Sequence, residues 1–90
     1  MKINHAVSHY RIICGMSLYK LATVSGLDRT AFNRSLKNDD WDPQISTLIK
    51  ICRTLNMQVT ELITKAIELG ESHENKYYSY KKRARRNGTE

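Results

Sequence analysis

The 90-residue chain is 40% apolar and 27% charged, which is the composition of one small globular domain. It has no run of the about 18 apolar residues that a membrane span needs and no signal peptide at its N-terminus, so we expect a cytoplasmic protein without a membrane span. Its net charge of +6 lies mostly in residues 76–90, which carry +5, and this distribution suggests a polyanionic partner, either nucleic acid or an acidic membrane.

Apolar residues at helical spacing predict five helices and no strand. The first helix is expected over residues 4–14 and ends at Gly15. The second is expected over residues 18–25, between the N-cap residue Ser17 and the terminating Gly26. The residues expected to face the core are Ala6, Val7, Tyr10, Ile13, Cys14, Leu18, Leu21, Ala22 and Ser25.

The third helix is expected over residues 29–37, because Asp28 can cap it and complement its dipole. A polar loop over residues 38–43 follows, and the fourth helix is expected over residues 45–55, with Asn56 as a left-handed cap. The residues expected to point inward are Phe32, Leu36, Ile45, Leu48, Ile49, Cys52 and Leu55.

The fifth helix is expected over residues 60–69 and ends at Gly70. Residues 71–90 have no amphipathic period, which predicts a flexible basic tail. The chain should therefore consist of one domain, residues 1–70, followed by this tail.

Three residues around the second and third helices have the spacing of a helix-turn-helix. Such a motif needs a small residue where its helices cross, and Ala22 supplies it. Its tight turn favours a residue that tolerates a positive φ, and Gly26 follows four residues later. Phe32, six residues further on, would anchor the third helix in the core. The pattern predicts a helix-turn-helix from Ser17 to Lys37.

The residues around this motif resemble the phage repressor and Cro family of helix-turn-helix regulators, often called the XRE family. The resemblance extends from Val7 to Leu62 and rests on the segments MSLYKLATVSGLDRTAFNR (16–34), PQISTLIKIC (43–52) and LNMQVTEL (55–62). It implies a compact, all-α, five-helix domain of the lambda-repressor type, whose third helix enters the DNA major groove. It also implies a bacterial or phage regulator of transcription, and we expect a repressor.

The third helix carries residue types that read DNA bases, because the first exposed residues of a recognition helix contact base edges. Arginine can bond guanine through two hydrogen bonds, and asparagine can do the same with adenine. The expected base-reading residues are Arg29, Thr30, Asn33 and Arg34, and the expected phosphate contacts are Ser17, Lys20 and Lys37. The alternative is that these are ordinary side chains on solvated helix faces.

Residues 76–86 of the tail combine tyrosines with basic residues. Tyrosines can stack on bases while cations follow phosphates, so the tail can contact DNA or RNA. Two alternatives are a solubilising end and a segment that folds against a protein partner. The candidate tail contacts are Lys81, Lys82, Arg83, Arg85 and Arg86.

One small domain makes few base contacts, so we expect a homodimer on a palindromic double-stranded site. Ile67 and Leu69 of the fifth helix are expected at the subunit contact. The alternative function is an antitoxin-type interaction module, which binds a partner protein and regulates its own expression by binding DNA.

The sequence predicts no enzyme and no cofactor, because it contains neither a nucleophile with a matching base and acid nor a glycine-rich phosphate loop. His5 and His9 are four residues apart, but no further ligand lies at a suitable spacing, so no metal site is expected. Cys14 and Cys52 are expected as buried thiols. Trp41 is expected to cover the core from outside, with a partner contact as the alternative.

Overall fold

A computed structural model of the chain describes the backbone of residues 1–74 and the side chains of residues 1–70. This part of the chain forms five helices: α1 (Ile3–Ile13), α2 (Leu18–Ser25), α3 (Arg29–Leu36), α4 (Ile45–Thr54) and α5 (Val59–Glu74). The predicted all-α, five-helix architecture is confirmed. The bounds of the first four helices agree with prediction to within one residue.

The core is shared by all five helices. α1 packs along α5 and α2 along α4, while α3 contacts both α2 and α1. Burial of a side chain the size of valine or leucine stabilises a fold by about 1.5–3 kcal/mol, so this small core supplies most of the driving force. The buried apolar residues are Ile3, Ala6, Val7, Leu21, Ala22, Phe32, Leu48, Ile51, Cys52, Leu55, Leu62 and Ala66.

The predicted core face is wrong at the C-terminal end of α1. Ile13 is 65% exposed and Cys14 is exposed, whereas Ile3 in the first turn is buried. The reason is that α1 ends at Ile13 and the chain turns away at Gly15, which has a φ of +66°. The last turn of α1 therefore presents its apolar residues to solvent.

The core face of α4 is also different from the prediction at its first turn. Ile45 is 64% exposed, and Ile51, which was not predicted, is completely buried. Because α4 is apolar on several sides, its sequence permits two faces at helical spacing, and packing against α2 and α5 selects the one that contains Ile51.

Gly70 does not end α5, which continues to Glu74. A Cβ atom at Gly70 would lie 2.7 Å from the backbone nitrogen of Met1, and the Lys2 N–H donates to the Ala66 carbonyl at 2.9 Å. The glycine therefore serves close packing of the N-terminal segment on α5, and the prediction that it terminates the helix is wrong. Residues 75–90, most of the predicted tail, lie outside the described residues.

Other local predictions agree with the structure. Asn56 has a φ of +56° directly after α4, as expected for a left-handed cap. Trp41 is half-buried and packs against the core from outside. Cys52 is buried, and this burial raises the pKa of its thiol.

In the part of the chain that the structure describes, no helix combines the length and the apolar character that a membrane crossing requires.

Candidate nucleic-acid interface

The connection between α2 and α3 is a tight turn built on a small residue and a glycine. Ala22 on α2 is completely buried, and α2 packs against α3. Gly26 follows α2 with a φ of +75°, a conformation that costs other L-residues about 1–2 kcal/mol. The Leu27 N–H then donates to the Ala22 carbonyl at 2.8 Å, which closes the turn. This geometry confirms the predicted helix-turn-helix.

Both helices of this motif begin at a capped first turn. The Ser17 hydroxyl accepts a hydrogen bond from the Lys20 N–H at 3.0 Å. The Asp28 carboxylate accepts one from the Ala31 N–H at 2.9 Å. N-caps of these types stabilise a helix by about 0.5–2 kcal/mol, so the starts of two eight-residue helices are fixed locally.

The inner side of α3 is anchored by an aromatic contact and a hydrogen bond. Phe32 is 3% exposed, and its ring meets that of Trp41 edge-on with centroids 6.0 Å apart. Near the end of α3, the buried Asn4 side chain donates from Nδ2 to the Leu36 carbonyl at 3.1 Å. These contacts fix the helix against α1 and the loop that follows it.

Asp39 in this loop collects hydrogen bonds from the start of α1. Its carboxylate bonds Asn4 Nδ2 and His5 Nε2 at 3.0 Å each and Lys2 Nζ at 3.3 Å. The hydrogen bonds from Asn4, His5 and Lys2, in that order of size, lower the pKa of Asp39 to about 2. No local sequence pattern predicts this cluster, because Asp39 lies more than 30 residues from each of its three partners along the chain.

The outer side of α3 displays polar residues on one face. Thr30, Asn33, Arg34 and Lys37 follow one another at the i, i+3, i+4 and i+7 positions, so their side chains project together. Thr30, Arg34 and Lys37 are exposed, and Asn33 is half-buried. Arg29 is exposed in the first turn.

Among residues 1–70, no carboxylate pairs with the cations of this surface. Among residues 1–70, the basic groups in ion pairs belong to Lys2, His5 and Lys65. The Asp28 carboxylate, next to Arg29 in the sequence, caps α3. The Asp39 carboxylate, two residues from Lys37, is paired with Lys2. The basic groups of this surface therefore form no ion pair with the described residues, as expected of a surface that meets a polyanion.

Arg29 instead lies against an aromatic ring. Its Cζ atom is 4.8 Å from the centroid of the Tyr19 ring, within the range of a cation–π interaction. This contact joins the first turns of α2 and α3. The sequence alone does not single out Tyr19, because its contact with Arg29 depends on how α2 and α3 pack.

The predicted phosphate contacts lie at the start of α2 and the end of α3. Lys20 and Lys37 are exposed, and the Ser17 hydroxyl, already an acceptor, keeps its own proton to donate. The amides of Leu18 and Tyr19 open α2 and have no acceptor within the helix. The predicted tail contacts, Lys81, Lys82, Arg83, Arg85 and Arg86, lie outside the described residues.

No metal site is formed by the described residues, in which no three His, Cys, Asp or Glu side chains are grouped to hold an ion. His5 bonds Asp39, whereas the His9 ring stacks edge-on with Tyr10 at a centroid distance of 4.9 Å.

A family model described as the Cro/C1-type HTH DNA-binding domain matches residues 9–65, which is more than half of the chain. The match begins within α1, contains the whole helix-turn-helix and ends within α5. The comparisons with curated proteins and with solved structures gave no match.

Proposed function

The chain belongs to the family of Cro/C1-type helix-turn-helix DNA-binding domains, and on this basis we propose that it is a sequence-specific repressor of transcription. DNA binding and regulation of transcription follow from the family membership itself. Repression, the base-reading residues and the mode of assembly are our proposals. The observation that supports them best is the outer face of α3, whose cations have no carboxylate partner among the described residues while its inner side is fixed.

We assign base reading to the outer face of α3. Arg29 and Arg34 present planar forks of donors that match the O6 and N7 atoms of guanine, and Asn33 can bond adenine through two hydrogen bonds. Thr30 is short enough to contact a thymine methyl group. In this arrangement the first turns of α3 lie deepest in the major groove.

Phosphate contacts flank these residues in our proposal. Lys20 on α2 and Lys37 at the end of α3 are exposed cations, and the first-turn amides of α2 are oriented donors at the positive end of its dipole. Together with the Ser17 hydroxyl, they would position α3 without reading sequence.

A homodimer would double the base contacts on a palindromic site. Ile67 of α5 is 41% exposed and remains our candidate for the subunit contact, whereas Leu69 packs partly against the core. The regulator would act in the cytoplasm of a bacterial cell, where the DNA lies. Sedimentation of the wild-type chain and of its Ile67→Lys variant, each with and without DNA, tests the proposed homodimer. A wild-type chain that stays monomeric in both conditions contradicts it.

Selection of bound duplexes from a random DNA pool with the full chain tests the proposed function. We expect an enriched inverted repeat. Asn33→Ala and Arg34→Ala should then weaken binding to that repeat by about 1–3 kcal/mol for each base that the variant no longer bonds, and should leave binding to random DNA nearly unchanged. Arg53→Ala removes an exposed arginine of α4 outside the proposed surface and serves as the matched control. A pool with no enriched sequence would refute the proposal.

Residues 76–90 of the basic tail are assigned to DNA as a sequence-independent contact, because they carry a net charge of +5. Deletion of residues 76–90 should lower affinity for all sequences. It should also reduce the slope of log affinity against log salt by about 0.9 for each phosphate that the shortened chain no longer neutralises. Base preference should be retained. An unchanged slope, together with loss of a co-purifying protein, would instead support the antitoxin-type alternative.

A further inference from the structure

We propose that Tyr19 is a specificity-determining positioning residue, whose ring holds the Arg29 guanidinium ready to contact one base pair of the bound site. This inference rests on the proposed function, because it concerns how the same surface selects its sequence. It adds to that function a residue on α2 that acts through a residue on α3.

The contact leaves the donors of Arg29 available. The Arg29 Cζ atom lies 4.8 Å from the Tyr19 ring centroid, and no carboxylate among the described residues pairs with Arg29. A carboxylate would accept hydrogen bonds from the N–H groups in the guanidinium plane. The face of an aromatic ring instead attracts the cation without using these N–H groups. The ring thus restrains Arg29 and leaves its N–H groups available to donate hydrogen bonds to guanine.

The ring itself is held by a well-fixed helix. Tyr19 lies between Ser17 and Lys20, whose capping hydrogen bond fixes the first turn of α2. At the other end of α2, the Ser25 hydroxyl shares a 2.8 Å hydrogen bond with the Thr54 hydroxyl on α4. A tyrosine has few rotatable bonds, so its ring is a rigid support for a long arginine side chain.

The expected advantage is preorganisation. A free arginine side chain loses rotamer freedom when it binds a base, and a side chain already restrained loses less. The gain for one long side chain corresponds to about three- to tenfold in affinity for the selected site. An unrestrained Arg29 could reach neighbouring phosphates instead, so loss of the ring should reduce base preference more than it reduces affinity for random DNA.

The test uses the full chain, the duplex it selects from a random pool and a random duplex of equal length. Tyr19→Leu should weaken binding to the selected duplex about three- to tenfold and binding to the random duplex less than about twofold. Tyr19→Phe keeps the ring and should bind like the wild type. In an Arg29→Ala background, Tyr19→Leu should cause no further loss.

Four results would overturn the inference while the proposed function stands. One is a Tyr19→Leu variant with unchanged or tighter binding to the selected duplex. A second is a Tyr19→Leu variant that loses as much affinity for the random duplex as for the selected duplex. A third is a Tyr19→Leu substitution that weakens binding as much in the Arg29→Ala background as in the wild type, which would make Tyr19 a DNA contact in its own right. The fourth is a Tyr19→Phe variant as weak as Tyr19→Leu. If the wild-type chain selects no sequence from the pool, the proposed function and this inference both fail.

The contact can also be measured without DNA. Ring current from Tyr19 should shift the NMR signals of the Arg29 Cδ protons upfield. Tyr19→Phe should retain that shift and Tyr19→Leu should abolish it. A shift that is absent from the wild-type chain would contradict the positioning role, whatever the DNA measurements give.

Discussion

The inner and outer sides of α3 differ in where their side chains find partners. On the inner side, Phe32 is buried against Trp41, and the Leu36 carbonyl accepts a hydrogen bond from Asn4. On the outer side, Arg34 and Lys37 are exposed and have no carboxylate partner among the described residues. The position of α3 is therefore set from the side away from the proposed DNA surface. Stability and DNA binding should therefore respond to different substitutions.

The largest loss of stability is expected from the inner aromatic anchor. Phe32→Ala should lower the free energy of unfolding by about 3–5 kcal/mol, because it leaves a cavity beside Trp41 and the apolar core. Urea unfolding followed by circular dichroism measures this change. Phe32→Leu, which keeps most of the apolar volume, should cost clearly less. A loss below about 1 kcal/mol for the alanine variant would mean that Phe32 does not anchor α3.

The hydrogen bonds from Asn4 give the next effect. Asn4→Ala removes the donor to both the Leu36 carbonyl and Asp39, and an orphaned, partly buried acceptor costs about 1–3 kcal/mol. The matched control is His5→Ala, which removes an exposed hydrogen bond to the same aspartate and should cost clearly less than Asn4→Ala. Equal losses in the two variants would mean that the hydrogen bonds to Asp39, and not the one to the Leu36 carbonyl, account for the stabilisation.

A substitution on the outer side should leave stability nearly unchanged. Arg34→Ala is expected to alter the free energy of unfolding by less than about 0.5 kcal/mol, because the side chain is exposed and has no ion-pair partner among the described residues. The same urea titrations measure it. A loss as large as that of Asn4→Ala would show that the outer side belongs to the fold and would remove the contrast between the two sides.

The sequence predicts those parts of the fold that depend on local signals. Ser17 and Asp28 cap helices because a hydroxyl or carboxylate needs only the amides of the next turn, and Gly26 and Asn56 adopt positive φ for equally local reasons. Features that depend on tertiary packing have no such local signal. α4 has apolar residues on several sides, so the burial of Ile51 rather than Ile45 depends on its neighbours.

The candidate site also contains residues that local signals predict and contacts that depend on tertiary packing. Helical spacing places Thr30, Arg34 and Lys37 on one face, and their residue types suggest a partner without any knowledge of the fold. The contact of Tyr19 with Arg29 and the hydrogen bond from Asn4 to Asp39 depend on which helices meet, and no local pattern contains that information. Gly70 shows that a local signal can also mislead. Glycine commonly ends a helix, but Gly70 lies within α5 and leaves space for the backbone of Met1.

A further predicted effect is a dependence of stability on pH at the inner side of α3. In the folded chain, hydrogen bonds from Asn4 first, then from His5 and Lys2, lower the pKa of Asp39 to about 2. In the unfolded chain, an aspartate titrates at about 3.9. The folded state therefore favours the charged carboxylate. Its contribution to stability is fully present above about pH 5 and is lost as the pH falls through the folded-state pKa.

This dependence can be isolated by comparing the wild-type chain with Asp39→Asn in urea titrations from pH 6 to pH 2. An asparagine can still accept the hydrogen bond from Asn4, but it carries no charge at any pH. The wild type should be the more stable chain at pH 6, and its advantage should shrink steadily between about pH 4 and pH 2. The effect should be small because the Asp39 side chain is 54% exposed, where solvent screens the charge. Asp42→Asn, at an exposed aspartate of the same loop, controls for the loss of one negative charge. Parallel pH curves for the wild type and Asp39→Asn would mean that the asparagine contact, rather than the charge, joins this loop to α1.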